Sequence, residues 1–102
     1  MTIKNELLKD IVITAVEGGI NYWAVVKNYQ PSLGKFRITE IVDDDLDEGK
    51  SLCDYRVDLD TVRRGYIRAI ESGYTFDDNT CLDAIEADVV IQFGLFDQVL
   101  YG

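Results

Sequence analysis

The first residues of the chain have the hydrophobic periodicity of an amphipathic helix. Thr2 can act as its N-terminal cap, and Gly18-Gly19 can end it, because glycine adopts the left-handed conformation without a Cβ clash. We therefore predict a first helix from about residue 3 to residue 17. Its apolar stripe consists of Ile3, Leu7, Leu8, Ile11, Val12 and Ala15.

Three segments in the middle of the chain have the aromatic, β-branched or alternating composition of β-strands. Pro31 and Gly34 provide turn chemistry between the first two, and the acidic segment 43–49 connects the second to the third. Connections of this length need no crossover helix, so the segments predict an antiparallel β-meander. The predicted strands are residues 22–29, 35–42 and 51–57, and Cys53, Tyr55 and Val57 share one face.

Tyr22 and Trp23 are predicted to begin the first strand, on opposite faces of the sheet. Only one of these two large aromatic side chains could then face the helices. The other would face solvent, a partner or a ligand, and the sequence leaves open which of the two is buried.

A second helix is predicted directly after the third strand. Either Asp58 or Asp60 can cap its first turn, and Gly73 can end it. Its apolar face consists of Val62, Tyr66, Ala69 and Ile70.

A third helix is predicted to begin at Asn79 or Thr80, where Thr80 and Asp83 form a shortened version of a capping box. From Val90 onward the helix is apolar nearly all round, which is typical of the buried spine of a domain or of a subunit interface. Before that point, the residues at helical spacing on its apolar face are Leu82, Ile85 and Val89.

The order of these elements predicts a single α+β domain over residues 1–102, with a helix, a three-stranded antiparallel β-meander and two C-terminal helices (αβββαα). The helices are expected to cover one face of the sheet. The chain ends in the apolar run 99–101, which we expect to pack against the sheet or a second copy. On this basis we predict a homodimer or a larger homo-oligomer.

The composition narrows the chemistry available to the chain. It contains no histidine, which removes the commonest general base and the usual catalytic triads, so we predict that it is not an enzyme. Cys53 and Cys81 form no CxxC pattern, so neither a zinc site nor a cofactor is expected, and both are interpreted as buried reduced thiols. An apolar run of about 18 residues is missing, and so is a signal-peptide pattern, so we expect a cytoplasmic protein without a membrane partner.

Negative charge is concentrated in the middle of the chain. The formal net charge is −9, from 19 acidic and 10 basic residues. Residues 40–60 alone contain 9 acidic and 2 basic residues, a net charge of −7. Binding to nucleic acid or to an anionic membrane needs a basic surface, so these totals argue against direct nucleic-acid binding.

The acidic segment has three interpretations. Alternating aspartates resemble a calcium loop, but the glycine comes one position late and the twelfth position is Asp54 instead of glutamate, so no metal is expected. The acids could form a solvated hairpin tip that keeps the protein soluble. They could also mimic the charge spacing of a nucleic-acid backbone and bind arginines and lysines of a nucleic-acid-handling protein. The candidate partner-binding residues are Asp43, Asp44, Asp45, Asp47, Glu48, Asp54 and Asp58.

A second candidate site combines arginines with aromatic residues. Three arginines are predicted on the outer side of the second helix, where they could pair with acidic neighbours or grip a phosphate. The pair Gly18-Gly19 lacks the spacing of a phosphate-binding loop, so the aromatic residues after it are either core residues or the lining of a pocket. The possible ligand-binding residues are Tyr22, Trp23, Arg63, Arg64 and Arg68.

Two sequence blocks, TAVEGGINYWAVV at 14–26 and ADVVIQFGLFDQVLYG at 87–102, resemble the opening and closing blocks of a family of small, uncharacterised phage and prophage proteins. The blocks cover under a third of the chain. Members of that family often have glycine after the closing LF, where this chain has Asp97. The resemblance implies no reaction and no catalytic residue. It implies a phage context, in which small acidic proteins often block host defence.

Charge and resemblance together favour one main hypothesis, with two alternatives. The main hypothesis is a phage-encoded inhibitor of a host defence system, such as an anti-CRISPR protein, that binds its target through the acidic segment. The first alternative is a homo-oligomer that sequesters a nucleotide signal by aromatic stacking and an arginine fork. The second is a structural phage protein.

Overall fold

A computed structural model describes residues 3–40, 54–76 and 82–102 of the chain. Over these residues it confirms the predicted α+β fold of the type αβββαα. The elements are α1 (Asn5–Thr14), a π-helical turn (Ala15–Gly19), β1 (Ala24–Gln30), β2 (Lys35–Glu40), β3 (Asp54–Val57), α2 (Leu59–Glu71) and α3 (Ala84–Phe96). The strands lie in the order β1-β2-β3, and each is antiparallel to its neighbour.

The hydrophobic core brings the three helices together with one face of the sheet. Its fully buried side chains include Leu8 of α1, Phe36 and Ile38 of β2, and Ile91 of α3. Residues 87–94 of α3 are all buried, so α3 is the spine of the described fold, which is one of the two predicted interpretations of its apolar composition.

The face of β3 that joins the core carries Tyr55 and Val57, as the alternation predicted. Antiparallel pairing sets Tyr55 opposite Ile38, and Ile38 opposite Val26 of β1. Cys53, which was expected on the same face, lies outside the described residues, as does Cys81.

The first helix ends differently from the prediction. α1 stops at Thr14 and continues as a π-helical turn, and neither Gly18 nor Gly19 has the expected left-handed conformation. Gly19 is needed for another reason, because a Cβ atom there would lie 2.9 Å from the carbonyl oxygen of Ala84 at the start of α3. The predicted C-cap was therefore wrong, since the close approach of α3 selects glycine at this position. The predicted N-cap, Thr2, lies outside the described residues.

Tyr22 and Trp23 lie in the turn before β1, and not in the strand itself. Trp23 is buried, with 1% of its surface exposed, whereas Tyr22 is 55% exposed. One aromatic residue therefore faces the core and the other faces solvent, as expected. The cause is the geometry of the turn, whereas the prediction attributed it to strand alternation.

The helices α2 and α3 pack closely through two glycines. A Cβ atom at Gly65 would lie 2.0 Å from the carbonyl oxygen of Val90. A Cβ atom at Gly94 would lie 2.4 Å from the carbonyl oxygen of Thr61. Both distances are far inside van der Waals contact, so the two backbones approach each other only because neither position has a side chain.

Both C-terminal helices begin with a capping box. In α2 the backbone N–H of Thr61 donates to the Asp58 carboxylate at 2.9 Å, which confirms Asp58 as one of the two predicted caps. In α3 the box consists of Asp83 and Glu86, where Thr80 and Asp83 had been expected. Asp83 caps the helix because Glu86, at the third helical position, completes the capping box with it.

The side chains at the start of α3 differ in burial from the prediction. Ile85 was predicted on the apolar face, but it is 76% exposed. Leu82 is buried although it precedes the helix, and Val89 is buried within it. Asn79 and Thr80, the predicted starting residues, lie outside the described residues.

The residue that ends α3 has the left-handed conformation that glycine adopts most readily. Asp97 has a φ of 60°, and its backbone N–H donates to the carbonyl oxygen of Phe93 at 3.1 Å. Its carboxylate accepts a hydrogen bond from Arg68 Nε at 3.1 Å, which ties the end of α3 to α2. The chain thus makes a left-handed turn at Asp97 directly after α3.

Candidate functional site

Two polar side chains, Asp88 and Gln92, lie one turn apart inside the apolar helix α3. Asp88 is 6% exposed and Gln92 is 0% exposed. A buried polar group is tolerated in a core only when its hydrogen-bonding atoms have partners. Within residues 3–40, 54–76 and 82–102, every buried side-chain nitrogen and oxygen has one.

The Asp88 carboxylate accepts hydrogen bonds from three side chains. Trp23 Nε1 and Gln92 Nε2 donate to Oδ1, each at 2.8 Å, and the Tyr22 hydroxyl donates to Oδ2. Burial, together with the hydrogen bond and the negative charge of Asp88, raises the pKa of Tyr22 from 10.0 to about 12. One carboxylate therefore anchors both aromatic residues of the turn to α3.

Gln92 attaches the C-terminal tail to the same network. Its Oε1 accepts from the backbone N–H groups of Leu100, at 2.8 Å, and of Tyr101, at 2.9 Å. Its Nε2 also donates to the carbonyl oxygen of Tyr101 at 3.1 Å. The apolar run 99–101 was expected to pack on the sheet or on a second copy, and here its backbone is bound to α3.

Tyr101 closes an aromatic cluster over Trp23. The two rings are stacked, with centroids 4.9 Å apart and planes 5° apart. Phe96 packs against both rings, and Tyr55 of β3 meets Phe96 edge-on at 5.3 Å. The Tyr101 hydroxyl donates to the Glu40 carboxylate at the end of β2. The cluster therefore joins α3, the tail and the sheet.

The network has the properties of a structural element that stabilises the fold, and not those of a ligand site. Trp23 was a candidate for lining a ligand pocket, but its ring is buried under Tyr101 and is not open to a ligand. The oxygens of Asp88 are occupied by internal donors, so this carboxylate is not presented to a substrate. The ring of Tyr22 is the part of the network that reaches solvent.

Sequence reasoning missed Asp88 and Gln92, although a signal was present. The two residues are four positions apart in an otherwise apolar helix, so they share one face of it. A polar pair at that spacing indicates a buried hydrogen-bond network, because an unsatisfied polar group in a core is costly.

The arginines of the second candidate site lie on α2, as predicted, and each has an acceptor within the chain. These hydrogen bonds are Arg63 to Asp60 at 2.7 Å, Arg64 to the carbonyl oxygen of Gly94 at 2.8 Å, and Arg68 to Asp97 at 3.1 Å and to Glu71 at 3.2 Å. The arginines border an open depression of about 290 Å³ that is lined by Asp60, Arg63, Arg64, Ile67 and Arg68. Tyr22 and Trp23 contribute nothing to its lining.

Two of the candidate acidic residues lie in the described part of the chain, and both have partners. The Thr39 hydroxyl donates to the exposed Asp54 carboxylate. The hydrogen bond from the Thr61 backbone holds the pKa of Asp58 below its usual value. The other candidates lie outside the described residues, so their role stays a prediction: Asp43, Asp44, Asp45, Asp47 and Glu48.

Fold and site together define a small α+β protein whose described buried polar groups are bonded internally. Comparison with protein-family models, with curated proteins and with solved structures finds no match to the chain. Within the described ranges, no group of three cysteine or acidic side chains could hold a metal ion. None of the described helices is long and apolar enough to cross a membrane.

Proposed function

We propose that this protein binds another protein through its acidic segment, residues 40–60, and acts as a phage-encoded inhibitor of a host defence system such as CRISPR-Cas. The observation that carries the proposal is the charge of the segment, which has 9 acidic and 2 basic residues. The resemblance of the two terminal blocks to small phage proteins supports a phage context, and the proposed site of action is the host cytoplasm.

The mechanism that fits this charge is competition with nucleic acid. Thr39 lies opposite Asp54, so β2 ends and β3 begins at the same end of the sheet. The acidic side chains of the segment would occupy the arginines and lysines with which a defence protein holds phosphates. Such binding is fast and weakens as salt is added, because it depends on long-range charge attraction.

The test compares two variants with the same change in net charge. Asp43→Asn/Asp45→Asn removes two acids of the segment, and Glu6→Gln/Glu17→Gln removes two exposed acids outside it. Each variant and the unmodified protein are used to capture proteins from the infected host, which are identified by mass spectrometry. We expect a target that is retained by the unmodified protein and by Glu6→Gln/Glu17→Gln. The same target is lost from Asp43→Asn/Asp45→Asn and is displaced by duplex DNA.

Two results would contradict this proposal. Equal capture by both variants would remove the acidic segment from the interface, and a target that duplex DNA fails to displace would remove the competition mechanism. Thermal unfolding of each variant is the control for folding. A lower melting temperature of Asp43→Asn/Asp45→Asn with unchanged capture would assign the acids a structural role.

Sequestration of a nucleotide signal is the alternative function, and the depression beside the three arginines of α2 favours it. Burial of Trp23 leaves Tyr22 as the candidate stacking residue, outside that depression. Calorimetric titration with a panel of cyclic nucleotides tests this function. A heat of binding that is present in the unmodified protein and absent in Arg64→Gln/Arg68→Gln would support this function. A titration of the folded protein without any heat of binding would count against it.

We also propose that the chain forms a homodimer or a larger homo-oligomer. The described surface retains exposed apolar side chains at Tyr22, Ile85 and Leu100, and exposed apolar patches often mark interfaces between proteins. Light scattering at micromolar concentration should give a mass of at least two chains, and a monomer mass would contradict the proposal.

A further inference from the structure

The solvent-facing side of the sheet carries a row of three cationic side chains. Lys27 of β1 lies opposite Arg37 of β2, and Arg37 lies opposite Arg56 of β3. All three are exposed. Lys35, two positions before Arg37 on the same strand, adds a fourth exposed cation to this face.

Within the described residues, Lys27, Arg37 and Arg56 form no salt bridge, and the carboxylate beside them on this face is Asp54, two positions before Arg56. By contrast, Arg63 and Arg68 of α2 each have a carboxylate within 3.2 Å. Like charges directly opposite each other on neighbouring strands destabilise a sheet. An arrangement with this cost is expected where a binding partner supplies the opposite charge.

A β-bulge lies directly beside the row. The pairing of β1 with β2 shifts register between Lys27 and Gln30, and Asn28 has a φ of 53°. Asparagine tolerates this left-handed conformation better than most residues, but it is still uncommon. Bulges re-aim side chains and are frequent next to functional sites. The bulge is a second and independent sign that this edge of the row is specialised.

The spacing of the row indicates the shape of its partner. Side chains directly opposite each other on neighbouring strands have Cβ atoms about 4.5–5.5 Å apart. Side chains three or four positions apart on a helix are about 5–6 Å apart, whereas same-face side chains of an extended strand are about 6.6 Å apart. We propose that Lys27, Arg37 and Arg56 bind an acidic helix of a partner protein. The helix lies across the strands with Asp or Glu at positions i, i+4 and i+7.

Two further features favour a helix over a nucleic acid. Sheet-face binding of single strands uses aromatic rings on which the bases stack, whereas the described positions beside the row are Val25, Asp54 and the buried Thr39, none of which is aromatic. The exposed Val25 offers an apolar contact to a helix instead. The net charge of −9 also repels a long polyanion such as a nucleic acid more strongly than it repels a short acidic helix. This inference goes beyond the proposed function, since it concerns basic residues on the face of the sheet, of which Arg56 alone lies within the segment 40–60.

The test uses two fluorescently labelled helical peptides with the same composition. One has three glutamates at i, i+4 and i+7, and the other has the same glutamates distributed around the helix. We expect the striped peptide to bind more tightly by fluorescence anisotropy, and its binding to weaken as salt is added. Arg37→Gln/Arg56→Gln should weaken that binding by at least about fivefold. Lys4→Gln/Lys9→Gln has the same change in net charge elsewhere and should leave the binding unchanged.

Each other outcome overturns the proposal. Absence of binding to the unmodified protein, equal binding of the two peptides, or equal binding by Arg37→Gln/Arg56→Gln would remove the helix site. A single-stranded oligonucleotide that binds more tightly than the striped peptide would assign the row to nucleic acid. Self-association that is lost in Arg37→Gln/Arg56→Gln would assign it to a second copy. The melting temperature of this variant should be equal or higher, because the substitution relieves like-charge repulsion, and it confirms that the variant is folded.

Discussion

Trp23 Nε1 donates a hydrogen bond to Asp88 Oδ1 at 2.8 Å, which connects the turn before β1 to the middle of α3. The two residues are 65 positions apart in the chain. They belong to the sequence blocks 14–26 and 87–102, and the fold brings those blocks together around one buried carboxylate. The two blocks therefore pack against each other, and this packing requires no ligand.

Removal of the Asp88 carboxylate should destabilise the protein strongly. Asp88→Ala leaves the donors Trp23 Nε1 and Gln92 Nε2 without their acceptor in a dry site, so the free energy of unfolding should fall by about 3 kcal/mol. Asp88→Asn keeps the shape but replaces one acceptor by a donor, so about 1–2 kcal/mol is expected. Urea denaturation measures both, with Glu6→Ala as an exposed control. A loss below about 1 kcal/mol for Asp88→Ala would show that the network is not needed for stability.

The glycine contact between α2 and α3 makes a second prediction. Gly65→Ala and Gly94→Ala each place a methyl group within 2.4 Å of a backbone carbonyl oxygen, so the helices must separate. Each should lower the free energy of unfolding by at least about 3 kcal/mol. Gly18→Ala is the matched control, because a Cβ atom there meets nothing within 4 Å. Gly18→Ala should be neutral or stabilising by up to about 1 kcal/mol, and equal losses for all three variants would refute the explanation.

Elements that depend on local signals were predictable from the sequence. The change from helical periodicity to strand alternation and back gives the order αβββαα. Asp58 was one of two predicted caps, because aspartate at a helix start accepts from a backbone N–H two or three positions later. Ile85 was misplaced because helical spacing from Val89 gives its face but not its burial, and the first turn of α3 leaves it 76% exposed.

Contacts between distant segments could not be predicted in the same way. Gly19 looks like a helix stop in sequence, and only the packing of α3 shows that the carbonyl oxygen of Ala84 excludes a side chain there. The arginines of α2 were placed correctly, but their acceptors on α3 depend on how the two helices pack. The cationic row depends on strand register, because a slip of one residue would move the side chains of a strand to the other face of the sheet.

The cap of α2 predicts a specific pH dependence. The hydrogen bond from the Thr61 backbone is the main cause that lowers the pKa of Asp58 in the folded state. A lowered folded pKa contributes stability that is present above the unfolded value of about 3.9 and is lost as the pH falls through the folded value. Asp58→Ala should therefore cost about 1 kcal/mol at neutral pH and progressively less below about pH 4.

Asp58→Asn separates the charge from the hydrogen bond. Asparagine caps helices about as well as aspartate but does not titrate, so this variant should keep the stability of the unmodified protein at neutral pH. The difference in unfolding free energy between Asp58→Asn and Asp58→Ala should then stay constant across the acid range. Urea denaturation at several pH values checks both expectations, and a pH-independent cost of Asp58→Ala against the unmodified protein would contradict them.

The fluorescence of the single tryptophan should show whether the C-terminal tail is attached to the rest of the fold. Tyr101 stacks on Trp23 and donates to Glu40, so Tyr101→Ala removes a partly buried ring and opens Trp23 to water. We expect a loss of about 3 kcal/mol in unfolding free energy and a red shift of tryptophan emission in the folded state. Leu100→Ala is the matched control, because its backbone N–H still bonds to Gln92 and its side chain is exposed. It should lose under about 1 kcal/mol with unchanged emission, and an emission of Tyr101→Ala equal to that of the unmodified protein would show that the tail does not cover Trp23 in solution.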